Sequence, residues 1–439
     1  MSPADAAGPA LRRSIGLWRA SAIVAGIIIG ASIFAQPSDI IRAVPHPAVA
    51  LWLWAAAGFL TLIGALVIAE LSSAMPATGG VYVFLKRAFS PAAGFLWGWA
   101  MFWSMHTGIV AAIAVVFARY AAAFVPLDDR GIKTVAVLSV LTLSGVNYLG
   151  VRQGSAVQLA LTLVKVLALV AIVAVAYALG APVGPADAAP TGPVTGAGIT
   201  AALIAGLFAY GGWHMVSYTA GETIDPTRTI PRALLIGTLT VTVLYALVNA
   251  AYLHVLPVAR VAGSTRVAAE MAEAIVGPVG GRVVAAAVML SALGAMNGVI
   301  LAGPRVYQAM AADGLLFRWV AGLHPVHATP HRAIALQAAW ASVLIATGSY
   351  RALFTRVVYT EWIFFALLAV ALFTLRRRAD YAPPYRAWGY PVLPAVFIAS
   401  SLAIVFNQMV REPVDAAIGL GIVLAGLPVY YAWSRRKPA

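Results

Sequence analysis

Cysteine is absent from this 439-residue sequence. No disulfide, thiolate metal site or catalytic thiol can form. Charge is scarce as well. Asp, Glu, Lys and Arg make up 10% of the residues, where a soluble domain carries roughly 25%. That excludes an ordinary water-soluble protein, and the 62% hydrophobic content excludes a disordered one. No G-x-x-x-x-G-K-[ST] pattern occurs, so ATP does not drive the chain directly. No cleavable signal peptide is apparent. Arg12, Arg13 and Arg19 precede a long first apolar segment with no clear cleavage site.

What the sequence does have is long unbroken apolar runs, such as Leu159 to Leu179, and a mean hydropathy of +0.89. Transmembrane β-barrels need short alternating strands instead. The pattern predicts an all-α polytopic membrane protein. Twelve helical spans are expected, near 18–43, 48–74, 92–124, 132–150, 155–180, 197–222, 232–257, 280–312, 332–349, 352–376, 389–410 and 414–434. Pro45 and Pro47, the stretch Gly180 to Gly198 and the stretch Asp380 to Pro391 supply connections.

The net charge of +14 would suggest nucleic acid in a soluble protein. Here the positive-inside rule explains it more simply. With the N-terminus inside, 18 of the 29 Lys and Arg fall on the cytoplasmic side and 10 outside, with Lys165 inside a span. The expected protein is multi-pass, has both termini cytoplasmic and needs no nucleic acid.

Two spans carry small residues together at mid-depth. They are Gly26-Ile-Ile-Ile-Gly30-Ala31-Ser32-Ile33-Phe34 in the first and Phe208-Ala209-Tyr210-Gly211-Gly212-Trp213-His214 in the sixth. Glycines weaken a helix. They also allow helices to pack closely. Two such sites, five spans apart, point to broken helices in inverted repeats. The expected organisation is a tail at 1–17, a first repeat at 18–180, a second at 197–377 and two further helices at 389–434.

At these residues the sequence resembles the amino acid–polyamine–organocation superfamily, and most closely its L-type amino-acid transporter family. Phe208 to Trp213 resembles the family's sixth-span motif. Glu70-Leu71 with Pro76 to Tyr82, Asn147 to Gln153 with Lys165, and Gly294 to Gly298 with Arg305 resemble its second, fourth-to-fifth and eighth spans. Leu375 to Arg377 with Gly389 to Pro391 resembles its tenth-to-eleventh connection. The resemblance covers nearly the whole chain. It implies a LeuT-type 5+5 inverted-repeat fold and alternating access around a mid-membrane site.

An amino acid brings a carboxylate and an ammonium. A helix N-terminus suits the first, and free carbonyls suit the second. Gly30, Ala31, Ser32 and Ile33 are expected to supply N–H donors, and Phe208, Ala209 and Tyr210 carbonyls. The family's first break usually reads Gly-Ser-Gly, whereas this chain has Gly30-Ala31-Ser32. The resemblance implies that Phe208 gates the substrate, Gly211 leaves room for its side chain and Trp213 walls the pocket. His214 replaces the family's Asn, and a satisfied interior histidine is its plain alternative.

In relatives, a lysine at the place of Lys165 occupies the space that sodium fills in sodium-coupled members. That implies sodium-independent transport by exchange or proton coupling; a helix-bracing strut is the alternative. Glu361 falls where relatives carry Asn at the side-chain end of the pocket. It could meet a cationic group, carry a proton, or stand at the outer interface. Glu70 and Glu222 are expected in ion pairs at cytoplasmic helix ends, near Lys86, Arg87, Arg228 and Arg232.

His324, His327 and His331 read as a loop rather than a metal site, because Pro325 and Pro330 break any helical face. No cofactor and no metal are expected. A membrane enzyme should gather acids and histidines at one face, and a channel needs a continuous polar lining; neither pattern occurs. A polyamine or organic-cation permease of the same fold remains the alternative substrate class. In animals, members of the family pair with a single-span glycoprotein through a cysteine between spans 3 and 4. This chain lacks that cysteine, so no disulfide-linked heavy chain is expected. The expected setting is a bacterial inner membrane, as monomer or homo-oligomer, with an amino acid, lipid and protons as partners.

Overall fold

The computed structural model describes residues 11–434, apart from 185, 186, 188 and 191. Most of the expected tail, and Arg435, Arg436 and Lys437, lie outside the described residues. The architecture is all-α. The one β-type pairing among the described residues is an isolated bridge between Ile15 and Thr223.

The first crossing is α1 (Leu17–Ile28) and α2 (Ser32–Ala43), bent by 47° at the residues between them. Then come α3 (Pro47–Ala74), the short α4 (Val81–Ala88), and α5 (Pro91–Ala100). A π-helical turn, Met101–Met105, joins α5 to α6 (His106–Ala121). The first half closes with α7 (Asp129–Tyr148) and α8 (Val151–Leu179).

The sixth crossing is α9 (Gly196–Ala209) followed by a 3₁₀ segment, Trp213–Glu222. A break is expected there and α9 ends at Ala209; the ten-residue 3₁₀ stretch that follows is unusually long. The remaining helices are α10 (Pro226–Val255), α11 (Val258–Gly263), α12 (Val267–Val276), α13 (Pro278–Ala302), α14 (Pro304–Ala312) and α15 (His331–Thr347). After them come α16 (Tyr350–Arg376), α17 (Val392–Arg411), α18 (Pro413–Leu424) and α19 (Gly426–Ser434).

Ten helices are long and apolar enough to cross a membrane, or eleven with α1 and α2 taken as one. The expected ninth crossing is α15, with 17 residues. At 1.5 Å per residue it spans about 26 Å, a little under the roughly 30 Å of hydrocarbon.

Local chemistry sets the starts. Ser90 accepts from Ala93 N–H at 3.3 Å with Pro91 in the first turn of α5, and Asp128 accepts from Gly131 N–H at 2.7 Å at α7. Thr195 does the same for α9 at 3.1 Å. The helices then bury their small and apolar faces in one core. In it α10 lies along α3 and α13 along α6, which pairs the seventh crossing with the second and the eighth with the third.

Candidate functional site between two broken helices

The two breaks face each other. Ser32 Oγ donates to Ala209 O at 3.5 Å, and Tyr245 Oη donates to Ile28 O at 2.9 Å and Ala209 O at 3.4 Å. One hydroxyl on α10 thus ties the end of α1 to the end of α9.

Each glycine pair divides its labour. A Cβ on Gly26 would stand 2.1 Å from Thr162 Oγ1 of α8, so Gly26 serves close packing. Gly30 has nothing nearer than 3.9 Å. Gly212 has φ +94° and a Cβ there would lie 2.3 Å from Ile27 Cγ2, whereas Gly211 is exposed and would meet only Phe208 O, at 3.2 Å. Gly26 and Gly212 therefore follow the packing reading, whereas Gly30, though buried, has room for a Cβ and Gly211 lies exposed.

Gly212→Ala should cost about 1–3 kcal/mol in backbone strain and a similar amount in overpacking against Ile27. Thermal unfolding of the purified protein measures this. A stability equal to wild type would mean that the two breaks are not pressed together there.

The carbonyls freed at the first break are claimed by side chains. Lys165 Nζ donates to Gly26 O at 2.6 Å and Ile29 O at 2.7 Å. Ser291 Oγ donates to Ile29 O at 3.1 Å and Gly30 O at 3.2 Å. Lys165 fits because position 294 is glycine; a Cβ there would sit 2.5 Å from Lys165 Cε. What the break leaves open is the start of α2, whose N-cap Ala31 offers no side-chain acceptor. Its first-turn N–H groups are the ones an α-helix cannot satisfy itself.

The structure does not bring every expected residue to the opening. Ala31 and Ser32 are half-buried beside it, and Phe208 is 45% exposed. Phe208 O accepts from Gly211 N–H at 3.1 Å. Ile33 is fully buried, so only its backbone is available. The Tyr210 ring turns into the core, where its hydroxyl donates to Trp54 O at 3.3 Å. Trp213 is buried against Phe365 and Phe397 and lies over Gly64. His214 is fully buried and its Nε2 is 3.6 Å from Glu361 Oε1. Arg356, one possible neighbour of Glu361 by sequence, is instead paired with Asp415 at 2.9 Å.

At the end of the bundle that carries most of the basic residues, three ion pairs stand together. Arg305 makes two bonds to Glu222, 2.7 and 2.9 Å, with both side chains 1% exposed. Arg376 makes two bonds to Glu70, 2.8 and 2.5 Å, and Ala387 N–H adds a third at 2.6 Å. Lys86 pairs with Asp313, which also accepts from Tyr82. Burial, then the Asp313 carboxylate, pushes the Tyr82 phenol up and keeps it a donor. Just before α1, Ser14 and Ile15 N–H both bond Glu222 O. The expectation of ion pairs at Glu70 and Glu222 holds, but their partners come from α16 and α14 rather than from the nearby Lys86, Arg87, Arg228 and Arg232.

His324, His327 and His331 gather around Tyr148, with ring centroids 5.2, 6.0 and 5.8 Å from it. Among the described residues, no group of three His, Cys, Asp or Glu could hold a metal ion. Sequence reasoning missed Tyr245 and Ser291. Both are polar residues inside apolar spans, and that was the available signal.

Comparison with known proteins shows the family. The amino acid permease family matches over residues 15–432. The serine/threonine exchanger SteT of Bacillus subtilis is 31% identical, with 97% of this chain and 98% of that protein aligned. The human large neutral amino acids transporter small subunit 2 is also 31% identical, over 97% of this chain and 81% of its own. The mouse Asc-type amino acid transporter 1 is 29% identical over 98% and 83%.

Proposed function

We infer, since this chain belongs to the amino acid permease family, that its two broken spans hold a zwitterionic amino acid and that alternating access carries it across the membrane. The observation that carries this reading is the uncapped start of α2 opposite the exposed Phe208 and Gly211. The substrate carboxylate meets the N–H groups of Ala31, Ser32 and Ile33. Its ammonium meets the carbonyl end of α9 at Phe208, Ala209 and Tyr210. Phe208 is the gate, Gly211 gives the side chain room, and Trp213 backs the pocket wall from the core. His214 and Glu361 form its far end.

The reading is of a sodium-independent transporter working by exchange or with protons. Its support is Lys165, whose ammonium already occupies the carbonyls of the first break. The face with the ion pairs is cytoplasmic, both termini lie there, and the membrane is a bacterial inner membrane. With that face closed, the site opens outward. The two repeats, 18–180 and 197–377, find support in the packing of α10 on α3 and α13 on α6.

A thermal-shift screen of purified protein against the common amino acids and several polyamines tests this. A ligand at a hundred times its Kd adds about 2.7 kcal/mol of stability. Stabilisation by zwitterionic amino acids is expected. Stabilisation by polyamines alone, or by nothing, overturns the reading.

One observation favours a cationic side chain among substrates: Glu361 is a buried carboxylate with no Arg or Lys paired to it among the described residues. Glu361→Gln should weaken cationic substrates at least tenfold more than neutral ones, as the loss of a charged hydrogen bond worth about 1.5–3 kcal/mol requires. Equal losses for both classes would remove Glu361 from the side-chain end.

A further inference from the structure

Behind the sixth crossing lies a polar cluster of which the proposed substrate site takes only Glu361 and His214. Its members come from five elements: Trp97 on α5, His106 at the start of α6, His214 and Tyr218 on the 3₁₀ segment, Tyr307 on α14 and Glu361 on α16. His106 Nδ1 is 3.0 Å from Tyr307 Oη, and that hydroxyl is 3.5 Å from Met101 O in the π turn. The Tyr218 ring lies between the two imidazoles, 5.7 Å from each. Both nitrogens of His214 and Nε2 of His106 are buried with no hydrogen-bond partner among the described residues, and the Tyr218 hydroxyl faces the Trp97 indole nitrogen.

So many unsatisfied polar atoms inside a membrane protein are costly unless they do something. A structural histidine would have its nitrogens bonded, and His214 does not. The π turn that places His106 facing inward is itself a feature that recurs at functional sites. Glu361 is 8% exposed, while His214 behind it is fully buried. Other charged groups on the packed elements are spoken for. Glu222 holds Arg305, Glu70 holds Arg376, Lys86 holds Asp313, and Lys165 on α8 points to the first break. Gln337 on α15 adds an unpaired amide close to the Gly303 turn beside His106.

We propose that this cluster is a proton-binding site, in which one proton is shared between Glu361 and His214 and exchanges with the basic face of the protein through His106 and Tyr307. The transfer is balanced: the Glu361 carboxyl gives its proton to His214 Nε2, leaving a carboxylate and an imidazolium, and the reverse step restores the neutral pair. The buried carboxylate is thus neutralised by a proton when the substrate side chain is neutral, and a cationic side chain displaces that proton. The proposal rests on the transporter reading only for the use made of the proton, and its test needs no substrate.

The test is infrared spectroscopy of the purified full chain without substrate, following the C=O stretch of a protonated carboxyl across pH. A band lost in Glu361→Gln is expected at neutral pH. Should that variant not fold, carboxyl-labelled glutamate assigns the band to a glutamate in the wild-type protein, where Glu70 and Glu222 are each bonded to an arginine. In His214→Asn the proton loses its second seat. The band should then persist only to a lower pH, by about one unit, or tenfold in proton affinity. After transfer to D₂O, the isotope shift of the band should be about tenfold slower in His106→Leu, a change in rate rather than in equilibrium. No protonated Glu361 at neutral pH, or the same titration with and without His214, overturns the shared proton. Unchanged exchange in His106→Leu overturns the route. A substrate screen without hits would sink the transporter reading and leave these spectra as they are.

Discussion

Lys165→Ala is expected to abolish amino-acid transport while the protein still reaches the membrane. Nζ holds two carbonyls of the first crossing, Gly26 O at 2.6 Å and Ile29 O at 2.7 Å, on either side of the point where α1 ends. Removing the amine leaves Gly26 O without its side-chain donor in a water-poor interior, at about 1–3 kcal/mol, and leaves Ile29 O to Ser291 alone. Ser291 continues to hold Ile29 O and Gly30 O, and Tyr245 holds Ile28 O. The break therefore loosens rather than collapses, and the site that depends on its geometry is lost before the fold is. Lys165→Arg should not restore function, because the space over Gly294 is cut to a lysine stem. Counterflow of a labelled amino acid into proteoliposomes, together with thermal unfolding, measures the two effects. Unchanged transport with an unchanged pH profile would mean that Lys165 is only a brace.

Arg305→Ala is expected to be the most destabilising change at the basic face, and to open that face. Arg305 and Glu222 are both 1% exposed and bonded twice. Removing one partner leaves an uncompensated buried charge, a cost of about 3–5 kcal/mol. The double variant Arg305→Met with Glu222→Gln removes both charges and should recover most of the loss, since a buried pair is worth little more than apolar groups of its size. Glu222 also closes the 3₁₀ segment, and its carbonyl receives the N–H groups of Ser14 and Ile15. Losing the pair therefore frees the strap before α1 together with the end of the sixth crossing. The absence of cysteine makes this easy to read. A single Ser217→Cys, buried in this structure, should react with maleimide slowly alone and much faster with Arg305→Ala. Equal labelling would show that the pair does not hold the face shut.

The positions of both breaks were legible because glycine marks them in spans that otherwise have none of a loop's polarity. The identity of the partners was not. Glu70 and Glu222 have basic neighbours in sequence, yet they bond Arg376 and Arg305, 306 and 83 residues away. Charge density in sequence locates an interface, but pairing follows from which helix ends converge. The role of each glycine was likewise hidden, since Gly26 and Gly30 differ only in what stands opposite. Trp213 and Tyr210 read as pocket residues on the strength of their motif, and their rings lie in the core. A 3₁₀ helix turns by one-third of a circle per residue rather than the 100° of an α-helix, which moves the faces on which later residues fall.

Composition and hydropathy by themselves determine that this chain is an α-helical membrane protein, because in lipid every backbone polar group must be bonded within its own segment. The two interrupted spans mark where backbone groups are freed inside the bundle. Only the tertiary structure decides which of the freed backbone groups remain available. Lys165, Ser291 and Tyr245 reach the carbonyls of the first break from three other helices, and among the described residues no side chain caps the start of α2. Likewise only packing brings Glu361 to His214, 147 residues apart in the chain, and leaves both nitrogens of that imidazole without a hydrogen bond among the described residues.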